Sequence, residues 1–341
     1  MSDPVTTPVE GFTPLRVKHV VRETPDAVSL VFDRPAISDF GYLPGQFVTL
    51  LVHVDGREHR RCYSMSSSPA LDEDLRITVK RDRDGVVSNW LNSTAAAGDQ
   101  LHVAPPQGRF VLGDQDRELV AFAGGSGITP VYSLLRSALE TTDRASRLFY
   151  ANRSRSSIIF ADSLTDLEQR HRTRFHVRHH VDDDHGLVTA AQVEAFATET
   201  ADADFYVCGP APFMDTVEKA LISAGVAGDR LRLERFTVSS TVDSPTAAAS
   251  LTEEVTIELD RRTVTVPYRS GNTLLQTARM AGLRAPSSCE TGSCGTCIAR
   301  VTEGSAQILN NDALDDDEIA DGWVVTCQSL PTSRTIRVVY D

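Results

Sequence analysis

Three cysteines fall within nine residues, Cys289-Glu-Thr-Gly-Ser-Cys294-Gly-Thr-Cys297, and a fourth follows at Cys327. Crowding of this kind among only six cysteines points to a metal site in a reducing compartment rather than to a disulfide framework. The C-x4-C-x2-C…C order is the spacing of a two-iron two-sulfur cluster, whose irons need four converging thiolates. Cys289, Cys294, Cys297 and Cys327 are therefore the expected ligands. Gly292 and Gly295 let the loop wrap the cluster and aim backbone N–H groups at its sulfurs. Structural zinc is the weaker alternative, because zinc loops pair their cysteines as C-x2-4-C twice over. A cluster of this type sits near about −400 mV and relays single electrons, so its electrons must come from elsewhere.

The remaining chain is long enough to supply them. With 341 residues, two or three domains are expected. A hydrophobic content of 41% and a charged content of 24% exclude wholesale disorder and a disulfide mini-scaffold. Thirty-four basic against 47 acidic side chains give −13, which disfavours nucleic acid or an anionic membrane as the main partner. No run of 18 apolar residues occurs and the first residues lack a basic-then-apolar pattern, so a cytoplasmic protein is expected.

From residue 12 to 115 the pattern is short β-type runs separated by turn residues: Leu15–Val21, Ser29–Phe32, Gln46–Val52 and Leu75–Lys80. An antiparallel β-barrel is expected. From 116 to 238 strands alternate with helices, which implies an α/β doubly wound parallel sheet. Residues 239–252 are polar and read as a linker. Residues 253–341 open with a hairpin, Glu254–Leu259 and Thr263–Val266. A helix near Thr273–Ala281, the cysteine loop and a last strand Arg334–Tyr340 complete an α+β domain.

Three further motifs carry chemistry. Gly124-Gly-Ser-Gly-Ile-Thr-Pro130 follows a strand and opens a helix, where a glycine turn and a helix N-terminus can meet a pyrophosphate. Pro130 suits a first helical turn, although the run departs from G-x-G-x-x-G at its last position. Cys208-Gly-Pro-Ala-Pro-Phe-Met214 ends a second parallel strand on the ligand-binding edge, which places Cys208 in a cleft; the plainer reading is a small buried hydrophobe. Arg61-Cys62-Tyr63-Ser64, followed by Gly85-Val-Val-Ser88, offers a guanidinium, an aromatic face and hydroxyls suited to a flavin nucleotide.

Barrel, nucleotide domain and cluster domain in this order resemble the ferredoxin–NADP reductase superfamily with a C-terminal plant-type ferredoxin of β-grasp fold. Within it the chain is most similar to reductase components of bacterial oxygenases, of the 3-ketosteroid 9α-hydroxylase and phenylacetyl-CoA epoxidase types. The family's R-x-Y-S stands at Arg61, Tyr63 and Ser64, its G-G-x-G-I-T-P at Gly124–Pro130 and its C-G-P-x-x-F-M at Cys208–Met214. The resemblance implies FAD, NADH or NADPH, and the 2Fe-2S cluster as cofactors. It implies that Tyr63 packs on the flavin ring, Ser64 bonds near the reactive nitrogen, and Arg61 and Ser88 hold phosphates, with Val79, Lys80, Gly85 and Val87 also on the flavin. Gly125, Ser126, Gly127, Thr129, Pro130, Asn152, Arg153, Arg155, Gly209, Pro210 and Met214 are implied for the nicotinamide nucleotide, and Cys208 beside the nicotinamide ring. Leu233-Glu234-Arg-Phe236 looks like the family's E-x-F ending, so Glu234 and Phe236 join Tyr63, Ser64 and Cys208 as catalytic candidates.

The expected activity is an NAD(P)H-dependent reductase passing electrons to a terminal oxygenase of steroid or aromatic degradation, with a Rieske-type oxygenase as the candidate partner. A reductase of the phenylacetyl-CoA epoxidase type, bound stably in its complex, and a general electron carrier or redox sensor are the alternatives. A monomer is expected. At the ribose position Asn152-Arg-Ser-Arg-Ser-Ser157 contains no acidic residue, and Arg153 and Arg155 suit a 2′-phosphate, whereas the resemblance favours NADH. NADH with tolerance of NADPH is the balance. His179, His180 and Asp182–Asp184 are expected in solvated loop, a metal site from His179, His180 and His185 being a weak alternative. The acidic run 312–318 with Asp321 reads either as a solvated helix start or as a docking face for a basic partner.

Overall fold

The computed structural model describes residues 9, 11–33, 40–199, 202–236, 252–290, 292–311 and 313–340. The expected linker lies outside the described residues except for Thr252. The chain divides into two compact units, Met1–Phe236 and Thr237–Asp341.

The first unit opens with strands β1 (Thr13–Thr24), β2 (Ala27–Phe32), β3 (Phe47–Val54), β4 (Arg57–Ser64), β5 (Leu75–Lys80) and β6 (Gln100–Val103), with helix α1 (Val86–Thr94) between the last two. They form an antiparallel sheet in the order β4-β3-β6-β1-β2-β5, and a bridge between Met65 and Ile77 joins its two ends. The inward residues Val17, Val28, Leu30, Val48, Leu50, Ile77 and Val103 are buried as one core, as alternation of apolar residues requires. Helix α1 goes beyond the strands that the sequence pattern predicts here. Its signal is the Val87, Leu91 spacing, one helical turn apart, and both residues are buried against the barrel core.

The same unit continues with β7 (Glu118–Gly124), α2 (Ile128–Thr141), β8 (Ser146–Asn152), α3 (Ala161–Arg170), β9 (Phe175–Val181), the helical turn α4 (Asp182–His185), α5 (Ala190–Ala197), β10 (Ala203–Gly209), α6 (Ala211–Ser223) and β11 (Leu231–Arg235). All five strands are parallel in the order β11-β10-β7-β8-β9. Strand order therefore reverses between β7 and β10, and ligands of such sheets bind at that switch point. The barrel is fastened to this layer by polar links. Arg136 of α2 grips Asp72 through Nη1 at 2.6 Å and Nη2 at 2.9 Å. Ser133 Oγ donates to the Ser67 carbonyl at 2.6 Å, and Ser137 and Ser68 hydroxyls meet at 2.7 Å. Helix α2, which begins at the glycine loop, is thus held by the segment that follows Ser64.

The second unit contains β12 (Glu254–Leu259), β13 (Arg262–Pro267), α7 (Leu274–Met280), β14 (Ile298–Glu303), β15 (Ala306–Ile308), α8 (Asp316–Ala320), β16 (Trp323–Val325), β17 (Ser329–Pro331) and β18 (Thr335–Val339). The expected hairpin is β12–β13, and β18 pairs with β12 in parallel, giving the sheet order β13-β12-β18-β14-β16. Thr273 caps α7 reciprocally with Gln276, which fixes where that helix starts. Leu274, Leu275 and Ala278 bury its face on Val255, Ile257 and Val338.

Candidate functional site

β4 carries the flavin motif out of the barrel. Tyr63 pairs across the ladder with Val48 and Ser64 with Phe47, so consecutive residues face opposite sides. Tyr63 packs half-buried against the barrel core, and burial raises its phenol above the ordinary range. Arg61 has no carboxylate partner among the described residues; its guanidinium donates to the Arg60 carbonyl at 2.7 Å. Ser64 is 3% exposed and its hydroxyl has no hydrogen-bond partner among the described residues. A buried hydroxyl without a partner is costly, and a bound flavin that accepts from it would remove the cost. The donor set therefore fits the flavin.

Gly85 stands at the N-cap of α1, and Ser88 is buried in its first turn, accepting from the Asp82 N–H at 3.1 Å. The first turn holds no acidic side chain, which leaves its N–H groups and positive dipole end for an anion. Val79 is buried in the barrel core. Lys80 at the end of β5 is 3.8 Å from Asp26 and reaches the glycine loop, its Nζ lying 3.7 Å from where a Cβ on Gly125 would stand. Burial lowers the Lys80 ammonium below its usual value, with Asp26 opposing the shift.

The nucleotide loops follow from the strand order. Ala123 and Cys208 are register partners on β7 and β10, so the segments leaving these strands are neighbours at the switch point. They touch closely: a Cβ on Gly127 would lie 2.1 Å from the Cys208 carbonyl oxygen, so any side chain there would force the backbone to shift. Gly125, Ser126 and Gly127 form a single 3-10 turn into α2, with Thr129 and Pro130 buried in its first turn. Gly209 ends β10, Pro210 caps α6, and Met214 is buried beneath it. Glu234 lies beside Cys208 in the ladder of β11 and is 9% exposed, whereas Phe236 is 39% exposed just past that strand. Arg235 between them pairs with Asp215 and Glu218 of α6, which fixes the strand end.

Two expectations are corrected. Cys208 does not stand open in a cleft; it has no exposed surface and belongs to the core with Ala123, Ile128 and Tyr206, because a strand flanked on both sides buries both faces. His179 and His180 are not loop residues but belong to β9. His180 is 4% exposed, stacked on Phe149, with Nε2 2.8 Å from the Gly186 carbonyl. Burial lowers the His179 pKa. Among the described residues, His179, His180 and His185 do not gather into a three-ligand metal site.

In the segment expected at the ribose, Asn152 is buried, Arg153 is exposed and has no carboxylate partner among the described residues, and Arg155 Nη2 meets Asp184 Oδ2 at 2.9 Å.

In the second unit the cysteine loop is local but braced from outside. Cys289, Cys297 and Cys327 are buried and Cys294 half-buried. The Cys289 and Thr296 N–H groups donate to Cys294 Sγ at 3.5 and 3.4 Å, the backbone donors that a thiolate ligand wants. Gly292 adopts φ +88° with the Asn310 carbonyl 2.5 Å from its would-be Cβ. Arg279 of α7 pairs with Glu290 at 2.6 Å, and Thr326 Oγ1 donates to the Cys297 carbonyl at 2.8 Å, itself held by Tyr340 Oη. Hydrogen bonding to Cys289 raises the Cys294 thiol and, with Cys297, raises Cys327, whereas the bond from Cys327 lowers Cys297, so the cysteines of this loop and Cys327 act on one another as near neighbours. The set fits an iron cluster. The acidic run emerges as α8, capped reciprocally by Asp315 and Glu318, with Asp316 and Asp317 exposed in its first turn; Asp312 lies outside the described residues.

Fold and site together define a modular flavin-dependent oxidoreductase that carries electrons from a nicotinamide nucleotide to a 2Fe-2S centre. Family models match in the same order: an oxidoreductase FAD-binding domain over 14–112, an oxidoreductase NAD-binding domain over 122–219 and a 2Fe-2S iron-sulfur cluster binding domain over 257–332. The chain belongs to the family of oxygenase ferredoxin reductase components. It is 39% identical to the 3-ketosteroid-9-alpha-monooxygenase ferredoxin reductase component of Mycolicibacterium smegmatis, covering 96% of both chains. One of the subunits of the Escherichia coli 1,2-phenylacetyl-CoA epoxidase is 31% identical, with 97% of this chain and 98% of that one covered. Among solved structures, phthalate dioxygenase reductase matches with a TM-score of 0.63 at 26% identity, over 97% of this chain and 98% of that one.

Proposed function

We propose that the chain supplies electrons from NADH to a Rieske-type oxygenase acting on a steroid-like substrate, and that it works in the cytoplasm as a monomer. The likeness to the Mycolicibacterium smegmatis steroid monooxygenase reductase component, which extends over 96% of both chains, carries this reading. When bound, FAD accepts a hydride as an electron pair and releases the electrons singly, a chemistry the cofactor supplies and the protein positions. Tyr63 gives the flavin ring a face, the Ser64 hydroxyl donates to it, and Arg61 with the Gly85–Ser88 turn neutralises phosphate charge. The Gly125–Pro130 and Cys208–Met214 loops seat the nucleotide at the switch point, with Lys80 adding charge from the barrel. Phe236, exposed past the end of β11, covers the other flavin face and yields it to the nicotinamide, whose ring comes to lie on the side of the sheet edge where β10 ends at Cys208 and Gly209. Cys289, Cys294, Cys297 and Cys327 hold the cluster.

The exposed carboxylates of α8, which follow the cysteine loop in the same unit, dock a basic face of the oxygenase. The test has two stages: under anaerobic conditions NADH bleaches flavin and cluster bands, and adding a 3-ketosteroid Rieske oxygenase with substrate and then O2 restores them, each turnover consuming two electrons, two protons and one O2 to give hydroxylated product and water. Bleaching without product overturns the partner; no bleaching overturns the electron path. Asp315→Asn/Asp316→Asn/Asp317→Asn is expected to slow transfer to the oxygenase several-fold and flatten its salt dependence, leaving flavin reduction unchanged. Equal loss of both steps would exclude docking there.

A further inference from the structure

The ribose end of the nucleotide site contains a carboxylate that its own loop lacks. Strands β8 and β9 lie side by side, pairing Asn152 with Val181, so the segments leaving their carboxyl ends are neighbours. The Asp183 N–H donates to the Arg153 carbonyl at 3.0 Å, tying the acidic turn α4 to the arginine loop. Arg155 Nη2 donates to Asp184 Oδ2 at 2.9 Å. His180 anchors the same turn from β9, with Nε2 2.8 Å from the Gly186 carbonyl and 3.5 Å from Asp182 Oδ1. The Arg155 guanidinium is therefore paired with a carboxylate of the acidic turn, and the backbone of that turn is tied to Arg153.

We propose that Asp184 is a specificity-determining residue, which by holding Arg155 withholds the second guanidinium that a 2′-phosphate would need and so sets NADH over NADPH. This rests on the reading that residues 152–157 receive the ribose of the nicotinamide nucleotide. A phosphate there carries about −1.5 to −2 charges at pH 7 and is recognised through charge-assisted, often bidentate arginine contacts. To use Arg155 it must break the existing pair and then lie beside the Asp184 carboxylate, with Asp182 and Asp183 close along the turn. A ribose 2′-hydroxyl is neutral, incurs no such repulsion, and can donate to a carboxylate. Arg153 alone remains for a phosphate. The pair is solvated, its side chains 80% and 39% exposed, so it contributes little to stability and its removal leaves the fold intact.

The experiment measures calorimetric affinities of the full chain for AMP and for 2′-phospho-AMP, in the wild type, Asp184→Asn, Arg155→Ala and the double variant. Asp184→Asn is expected to tighten 2′-phospho-AMP about two- to fivefold, the upper range of an exposed charge pair, with AMP changed less than about 1.5-fold. The gain should disappear in the double variant, and the NADPH to NADH ratio of kcat/KM should rise in parallel in Asp184→Asn. An unchanged 2′-phospho-AMP affinity overturns the proposal. So does a gain that persists without Arg155, which would reflect the general acidic field of the turn. If the wild type binds neither probe and NADH does not reduce it, the nucleotide reading itself fails, an outcome separate from an unchanged preference.

Discussion

The two units build their sites in opposite ways. In the second, three of the four proposed ligands lie in one loop of nine residues, and tertiary structure adds Cys327 and the braces Arg279, Thr326 and Tyr340. In the first, the site is assembled from β4, the stretch from the end of β5 to the start of α1, and the loops after β7 and β10, segments drawn from widely separated parts of the chain. A loop that wraps its own ligand depends mostly on local backbone geometry. A site at a switch point depends on strand order, and every element must dock correctly before any residue meets its partner.

The comparison breaks most sharply at Cys327, the one remote member of the local site. Cys327→Ser is expected to abolish cluster absorbance and reduce transfer to one-electron acceptors to background, while NADH still reduces the flavin at the wild-type rate. Persistence of the cluster with three cysteines would mean that the loop alone suffices. The next effect is in the dispersed site: Ser64→Ala removes the buried hydroxyl and should slow flavin reduction about 10- to 100-fold, with the cluster spectrum unaltered. Stopped-flow absorbance reads both, and an unchanged rate would remove Ser64 from the flavin's contacts. The smallest effect sharpens the role of docking. Gly127→Ala drives a methyl into the Cys208 carbonyl and should cost about 1–3 kcal/mol of the first unit's stability. Calorimetry should show that loss with the second unit's transition unmoved.

Legibility follows the same division. The cysteine ligands can be read because their spacing is itself the chemistry. The glycine and Cys-Gly-Pro loops can be read as nucleotide loops because each leaves an apolar strand, but only the order β11-β10-β7-β8-β9 makes them neighbours. Helix α1 escapes a reading of the sequence because its nine residues include only a brief apolar stripe between polar neighbours. The histidine pair reads as solvated because polarity suggests loop, whereas β9 carries His180 inward, where Phe149 and the Gly186 carbonyl satisfy it. Cys208 reads as open because a strand end on the ligand edge suggests access; packing from both faces closes it.

What the amino-acid order determined by itself is local: the cysteine spacing, the apolar alternation of the barrel strands, the strand–helix rhythm of the nucleotide layer, and the caps such as Thr273 with Gln276 that start helices. These depend on contacts within a few residues, where backbone geometry leaves few choices. Tertiary structure decided which distant groups share a surface: Gly127 against Cys208, Lys80 beside the glycine loop, and Asp184 on Arg155. Such meetings depend on how strands are ordered and how layers pack, and no window of sequence contains that information because the partners are brought together only by burial of the cores between them.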